Sequence, residues 1–159
     1  MDKIIGLGNA LVDVLATLED DTLLDEMDLP KGSMQLIDDA KLQQINSKFS
    51  QMKTHLATGG SAGNAILGLA CLGAGTGFIG KVGNDQFGKT LKKALEELGI
   101  GTENLLMDNE VHTTLALVHT FADGDRDFSF YRNPGADMML TMDELNLDLV
   151  RDTRIFHFG

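Results

Sequence analysis

Short apolar runs alternate along this chain with longer segments whose apolar residues recur at helical spacing. Runs of this brevity, rich in β-branched residues and bounded by glycine, predict buried strands. They lie at residues 3–8, 55–58 and 77–82. A β-α-β-α alternation is typical of a parallel sheet covered by helices on both faces. The first expectation is therefore an α/β fold.

Helical patterns occupy the intervening segments. The first begins at Asp38 or Asp39 as its N-terminal cap, and its apolar stripe consists of Leu42, Ile45 and Phe49. A second opens after Gly59 and runs to residue 72. A third has an apolar face at 3.6-residue spacing made of Phe87, Leu91, Ala94, Leu95 and Leu98, with Gly99 as its terminating residue.

An antiparallel element interrupts the alternation. Residues 113–121 and 127–131 flank the stretch ADGD, which predicts a hairpin with Asp-Gly at its turn. Residues 11–18 and 31–38 predict a second two-stranded excursion with the acidic residues 19–21 at its tip. A short helix near residues 143–147 and a last strand at 154–158 complete the expected elements.

Charge and composition exclude several classes of partner. The 159 residues carry 24 Asp and Glu against 13 Lys and Arg, a formal net charge of -11. With no cluster of basic residues, neither nucleic acid nor an anionic membrane surface is an expected partner. No apolar stretch is long enough to span a bilayer, and the N-terminus lacks a signal-peptide pattern. Cys71 is the single cysteine and is expected among apolar residues, so a cytoplasmic location is predicted.

Other short motifs carry no function. The stretch GTGFIG at residues 75–80 matches a dinucleotide-binding pattern, but its glycines leave a helix and enter a strand, the reverse of what that mechanism needs. The four histidines are dispersed without metal-ligand spacing, so no metal site is predicted.

The stretch GGSAGN at residues 59–64 is a candidate binding turn. Adjacent glycines let a ligand approach the backbone, and the helix that follows offers unpaired amides and a positive dipole end. Asn64 lies on its first turn, where the amide can both donate to and accept from a hydroxyl. A tight strand-to-helix turn without a ligand is the alternative.

Asn9 and Asp13 form a second candidate pair. They come just after the first predicted strand, at the carboxyl end where open α/β sheets bind ligands. A carboxylate and an amide suit vicinal hydroxyls, because the carboxylate accepts hydrogen bonds and the amide does both. Local capping of a loop is the alternative.

Four stretches occur in an order that resembles the ribokinase-like, or PfkB, carbohydrate kinase family, including its adenosine kinases and fructokinases. They are GNALVD at 8–13, GGSAGNA at 59–65, GKVGNDQFG at 80–88 and FYRNPGAD at 130–137. The resemblance implies a three-layer α/β/α fold with a mainly parallel sheet and a small β-sheet lid. Residues 1–159 would be the N-terminal part of one kinase domain, with lid segments at about 11–37 and 113–131.

The resemblance also implies site residues. Those that would hold the hydroxyls of a sugar or a ribose are Asn9, Asp13, Gly59, Gly60 and Asn64. Those that would lie over the substrate as lid residues are Met34, Leu36, Leu115 and Leu117. Arg132 would contact the substrate or a phosphate, and Arg126 would neutralise a phosphate; an ordinary surface arginine is the alternative for both.

The implied chemistry is transfer of the ATP γ-phosphoryl group to an alcohol, with Mg²⁺ as second cofactor. The family's base is an Asp in a Gly-Ala-Gly-Asp motif, which does not occur before Gly159, so the base and the ATP site are expected beyond it. The chain would then be inactive alone and a candidate for dimerisation through the lid or an exposed sheet edge.

Two other roles stay open: a stand-alone sugar-binding or regulatory half-domain, and catalysis in trans with a partner chain. The substrate is also open, since residues 8–13 resemble adenosine kinases, while residues 130–132 resemble fructokinases and ketodeoxygluconate kinases.

Overall fold

A computed structural model describes residues 3–18, 22–30, 34–49, 51–121 and 124–159. The strands are β1 (Ile4–Leu7), β2 (Leu11–Thr17), β3 (Met34–Leu36), β4 (Thr54–Gly59), β5 (Thr76–Gly83), β6 (Leu105–Asp108), β7 (Thr114–Thr120), β8 (Arg126–Tyr131) and β9 (Ile155–Phe158). The helices are α1 (Thr22–Glu26), α2 (Asp39–Phe49), α3 (Ser61–Cys71), α4 (Gln86–Glu97) and α5 (Leu147–Arg151), with 3-10 turns at Ala136–Met139 and Met142–Glu144.

The described chain divides into two compact units. The first unit comprises the described residues up to Val12 together with Thr58–Thr114 and Pro134–Gly159. The second unit comprises the described residues within Asp13–Ala57 and Leu115–Asn133.

The first unit is built on a parallel sheet in the order β6-β5-β1-β9. Ile4 is in register with Thr76 of β5 on one side and with Ile155 of β9 on the other. These two strand pairs and the pair β5–β6 are all parallel. The carboxyl ends of the strands therefore share one edge of the sheet. This confirms the predicted parallel sheet for the strands at 3–8 and 77–82. The strand predicted at 55–58 is β4, which belongs to the second sheet instead.

Helix α3 packs closely on β1 and β5 because glycines leave it room. A Cβ atom on Gly6 would lie 2.4 Å from Cγ1 of Ile66, and one on Gly8 would lie 2.7 Å from Cβ of Ala62. Apolar side chains fill the interface: Ile5, Ile66, Phe78 and Ile79 are buried. Helix α4 begins at its cap Asp85 and buries Leu91 and Leu95, as its pattern predicted, while Leu98 is exposed.

The second unit is built on a five-stranded sheet in the order β3-β8-β7-β2-β4. The predicted hairpin is present: β7 and β8 are antiparallel, with Val118 opposite Phe128, and Gly124 in the connection has φ +86°. Helix α2 begins where predicted, since Asp38 accepts a hydrogen bond from the Lys41 amide. Ile45 of its stripe is buried; the side chain of Phe49 lies outside the described residues.

The prediction that residues 11–18 and 31–38 form a two-stranded element was wrong. Strand β3 does not pair with β2; it lies at the far edge of the sheet, parallel to β8, and α1 comes before it. The expected tip at 19–21 lies outside the described residues. Strand pairing is a long-range property, and a local pattern cannot tell which edge a short strand will join.

Smaller expectations also changed. Strand β6 was not predicted, and the helix expected near 143–147 is replaced by the second 3-10 turn and α5. Cys71, expected among apolar residues, is exposed on the last turn of α3. The helical period alone does not show which side of a short helix end faces the sheet.

Candidate functional site

The turn from β4 into α3 forms one part of the site in the first unit. Gly60 has φ +90°, and a Cβ atom there would lie 2.3 Å from the carbonyl oxygen of Asn9. Only glycine can therefore bring this turn so close to the segment after β1. The Gly60 carbonyl accepts the first helical hydrogen bond, from the Asn64 amide at 2.9 Å, and no side chain caps the helix.

Asn9 lies beside that turn, at the carboxyl edge of the sheet. It follows β1 and is exposed, and Asn64 is exposed on the first turn of α3. The structure thus brings together four of the predicted hydroxyl-binding residues: Asn9, Gly59, Gly60 and Asn64. Two side-chain amides and an uncapped helix start provide donors and acceptors for a polyol.

The second unit carries another group of candidates on one face of its sheet. Register places Met34 beside Phe128 and Leu36 beside Phe130, and Phe130 is in turn opposite Ala116 of β7. Thr120 donates a hydrogen bond to the Thr17 hydroxyl at 3.2 Å, so the side chains of these two strands meet on one face.

Asp13 belongs to the same face. It lies four residues before Thr17, and β2 alternates strictly between buried and less buried residues. Arg126 and Arg132 are each separated from Phe130 by an even number of residues, so along the extended chain all three lie on the same side of the sheet. We name the resulting surface the open face; it carries Asp13, Met34, Leu36, Arg126, Phe130 and Arg132.

The open face contains a small cavity of about 270 Å³, lined by Met34, Gln35, Leu36, Phe130 and Arg132. Met34 and Leu36 are 72% and 71% exposed. The Phe130 ring stacks against Phe128, with centroids 6.1 Å apart. A guanidinium and an amide at an apolar wall can bind a small ligand that has both hydroxyl groups and a carbon skeleton.

Leu115 and Leu117 are not on the open face. Register pairs them with Tyr131 and Ser129, on the opposite side of the sheet, and Leu117 is fully buried. Ala116 and Val118 occupy the open face of β7 instead. The four residues expected to form the lid surface are therefore divided between two faces.

Asp13 is half-buried, and burial raises the pKa of its carboxyl group above the ordinary value. A carboxylate in this setting gains from ligand hydroxyls that replace lost water hydrogen bonds. Gln35 was missed by sequence reasoning, since its neighbours Met34 and Leu36 were the apparent contacts. Side chains alternate between the two sides of a strand, so the sequence pattern gives no sign that Gln35 lines the same cavity as Met34 and Leu36.

A hydrogen-bond network in the first unit accounts for Gly83, Asp85 and Gly88 of the stretch at 80–88 without a ligand. Asp85 caps α4 through the Gly88 amide and accepts both the amide and the hydroxyl of Thr113, each at 2.8 Å. Thr114, the next residue, donates to the buried carboxylate of Asp137. These groups fix the strand and loop ends rather than offer a binding surface.

The described part of the chain contains no group of three or more His, Cys, Asp or Glu side chains able to hold a metal ion. Among the described residues, no helix has the length and apolar character needed to cross a membrane.

Curated fructokinases are similar in sequence to part of this chain. The fructokinase of Solanum tuberosum is 46% identical over 103 residues, which are 65% of this chain and 32% of that protein. Probable fructokinase-4 of Arabidopsis thaliana is 44% identical over the same length and shares. The match spans about a third of the length of these relatives.

Solved structures match almost the whole chain. The adenosine kinase from Sinorhizobium meliloti superposes with a TM-score of 0.81 and 29% identity, covering 99% of this chain and 46% of that one. The fructokinase from Xylella fastidiosa gives 0.72 and 28%, covering 98% and 40%. The fold is thus the ribokinase-like α/β fold with a mainly parallel sheet. Residues 32–159 match the model of the pfkB family carbohydrate kinases, and the chain belongs to that family.

Proposed function

We propose that the protein acts as an ATP-dependent kinase for a sugar hydroxyl and that this chain supplies the residues that bind the acceptor. The observation that carries the proposal is the close approach of Gly60 to the Asn9 carbonyl, which sets two side-chain amides beside an uncapped helix start. Such an arrangement suits a polyhydroxylated ligand better than an apolar one. Family membership supplies the reaction class.

Each predicted residue has a role in the proposal. In the first unit, Asn9, Gly59, Gly60 and Asn64 bind hydroxyls through amides and backbone groups. In the second unit, Asp13 accepts hydrogen bonds from hydroxyls, while Arg132 contacts the substrate and Arg126 neutralises a phosphate. Met34 and Leu36 contact the carbon skeleton; Leu115 and Leu117, buried on the opposite face, support the open face instead.

The favoured acceptor is a ketohexose such as fructose. Its support is the 46% identity to a fructokinase and the cavity where Arg132 and Gln35 offer donors for hydroxyls. A nucleoside is the second candidate, favoured by the TM-score of 0.81 with an adenosine kinase. The two differ in what the open face must contact: several hydroxyls in the sugar, or an aromatic base.

Phosphoryl transfer asks the protein chiefly to align the acceptor and to neutralise charge. The acceptor-binding residues of this chain can align the acceptor. ATP, Mg²⁺ and the base are assigned to the portion of the relatives that this chain does not cover. A fructokinase of Xylella fastidiosa has been solved with bound ATP, and ATP is the donor we propose here.

The wider setting is proposed on the same basis. The acidic composition and the single cysteine support a cytoplasmic protein. A homodimer would use the edge strand β4 of the second unit or the edge strand β9, whose Phe158 is 72% exposed. Two alternatives use the same acceptor-binding residues. One is a stand-alone binding half-domain, and the other is catalysis in trans with a partner chain.

Calorimetric titration of the chain with fructose and with adenosine tests the binding role. Asp13→Asn is expected to weaken fructose binding by roughly 10- to 100-fold, because one charge-assisted acceptor is lost. Asp148→Asn, on the exposed surface of α5, is the matched control and should change nothing. Adenosine binding in place of fructose would assign a nucleoside acceptor, and binding of neither would contradict the proposal.

Turnover is tested separately, with ATP and the preferred acceptor. The 159-residue chain alone is expected to produce no phosphorylated product. Saturable turnover by the purified chain, abolished in Asp13→Ala, would show that the base and the ATP site are within these residues. Turnover restored by adding a second chain would assign catalysis in trans.

A further inference from the structure

A cavity of about 590 Å³ opens in the first unit at the edge of the parallel sheet where the strands begin. Lys3 precedes β1, Thr76 begins β5, and residues 99–103 lead into β6. The candidate hydroxyl-binding residues follow the opposite, carboxyl ends of the strands. Ile4 is in register with Thr76 and lies five residues before Asn9, so roughly 17 Å of extended chain separates the cavity from Asn9. The cavity is therefore separate from the candidate functional site.

Charged side chains of both signs line the cavity. Lys3 and Lys92 are its cations, and neither forms an ion pair with another described residue. Glu96 and Glu103 are its anions; Glu96 already accepts a hydrogen bond from the Thr102 hydroxyl at 2.7 Å. A purely anionic ligand would meet the carboxylates unfavourably, whereas carboxylates readily accept hydrogen bonds from hydroxyls.

Space for the carboxylates comes from a glycine. A Cβ atom on Gly101 would lie 2.8 Å from Oε2 of Glu103, so a larger residue would displace that side chain. Helix α4 ends at Glu97, and Gly99 just beyond it has φ +73°, which turns the chain sharply into residues 100–103. The wall is thus a fixed turn that presents charged side chains, rather than a long loop.

We propose that this cavity is a second small-molecule site and that it takes a sugar phosphate. Lys3 and Lys92 bind the phosphate, while Glu96 and Glu103 accept hydrogen bonds from the sugar hydroxyls. The volume lies within the range of small-molecule sites. In a chain with a net charge of -11, an anion is bound only where lysines lie together locally.

The site is tested by NMR titration of the chain with fructose 6-phosphate, with inorganic phosphate and with fructose. The expected result is that the sugar phosphate shifts the amide signals of residues 99–103 and of Gly75, with saturation, and binds at least about tenfold more tightly than inorganic phosphate. Saturating fructose should not displace it, because the two ligands occupy opposite edges of the sheet.

Three variants make the test specific. Lys92→Ala should weaken binding by about tenfold or more, since one charge-assisted contact is lost. Lys3→Ala should also weaken it, because it removes the second cation proposed to bind the phosphate. Lys89→Ala, on the same helix but outside the cavity lining, is the matched control and should bind as the parent chain does.

The contrary results are equally definite. Shifts confined to residues near Asn9 and Asn64 would show that the sugar phosphate binds as a product at the candidate functional site, and would overturn the proposal. So would equal affinity for phosphate and sugar phosphate, or full binding in Lys3→Ala and Lys92→Ala. Because binding is measured directly, failure here leaves the proposed kinase function untouched.

Discussion

Gly60 is the residue on which the geometry of the turn before α3 depends. Gly60→Ala is expected to destabilise the chain by roughly 2–4 kcal/mol, because it adds both a strained φ and a clash with the Asn9 carbonyl. Gly73→Ala is the matched control: its φ is +85°, but a Cβ atom there meets nothing within 4 Å, so only about 1 kcal/mol is expected. Urea denaturation of both variants gives the two values. Equal losses would show that the clash relaxes freely.

Asp85 links charge to stability at the start of α4. Burial alone would raise its pKa, but the hydrogen bonds from Thr113 and Gly88 outweigh burial and hold the pKa of this carboxyl below its ordinary 3.8. The lowered pKa means that the charged form stabilises the fold above pH 3.8. That stability is lost as the pH falls through the folded-state pKa.

Asp85→Asn is therefore expected to lower the free energy of unfolding at pH 7 by about 1–3 kcal/mol and to flatten its decline in acid. Asp148→Asn is the control, because an exposed pair with Arg151 contributes little. Unfolding measured from pH 7 to pH 3 provides both slopes. An unchanged acid slope in Asp85→Asn would assign the acid sensitivity to other carboxyl groups.

At the scale of elements, Lys81 connects β5 with the second 3-10 turn and with the end of β6. Its ammonium group lies 2.7 Å from Glu144 and 3.4 Å from Asp108, and its side chain is only 12% exposed. Lys81→Met is expected to cost about 1–3 kcal/mol, because two carboxylates lose their counter-ion. Lys93→Met is the control, since its pair with Glu97 is exposed. A loss in Lys81→Met no larger than in the control would show that the carboxylates find water instead.

The β7–β8 hairpin contains a buried titratable pair. His119 and Asp127 are directly opposite in register and both buried; burial lowers the pKa of His119, and the Asp127 charge opposes this only partly. The folded protein thus favours neutral His119. The unfolded chain takes up a proton near pH 6.5, so stability is lost as the pH falls from 6.5 towards the lower folded-state pKa.

Comparison of the chain with His119→Gln tests this at the level of the hairpin. Between pH 7.5 and pH 5.5 the parent chain should lose more stability than the variant, as measured by urea denaturation. Parallel pH profiles for the two proteins would contradict the expectation.

At the scale of the whole molecule, charge governs solubility. The excess of acidic residues sets the isoelectric point at about 4.6. Near that pH, repulsion between molecules is smallest, while exposed apolar side chains such as Met34, Leu72 and Phe158 remain available for association. Light scattering should therefore rise to a maximum near pH 4.6 and fall at pH 7. A maximum far from that pH would show that association is controlled by a specific surface.

The sequence by itself determined the elements whose signals are local. A glycine-bounded apolar run, a helical stripe with its cap and an Asp-Gly turn each depend on a few neighbouring residues, so β1, α2, α4 and the β7–β8 hairpin were predicted close to their observed bounds. The sequence also predicted that Asn9 follows the first strand and that the glycine turn opens α3, as observed. That Asn9 and this turn would serve one site was implied only by the family resemblance.

Only the tertiary structure decided which strands pair and which side chains share a face. It placed β3 beside β8. It also placed Met34 and Leu36 on one face of the sheet and Leu115 and Leu117 on the other. Gln35 and Arg132 line one cavity, which the sequence did not indicate. It also set Thr76 and Lys92 around one cavity at the other edge of the sheet. Register and strand order follow from burial across the whole sheet, and a shift of one residue exchanges the two faces, so no local pattern can specify them.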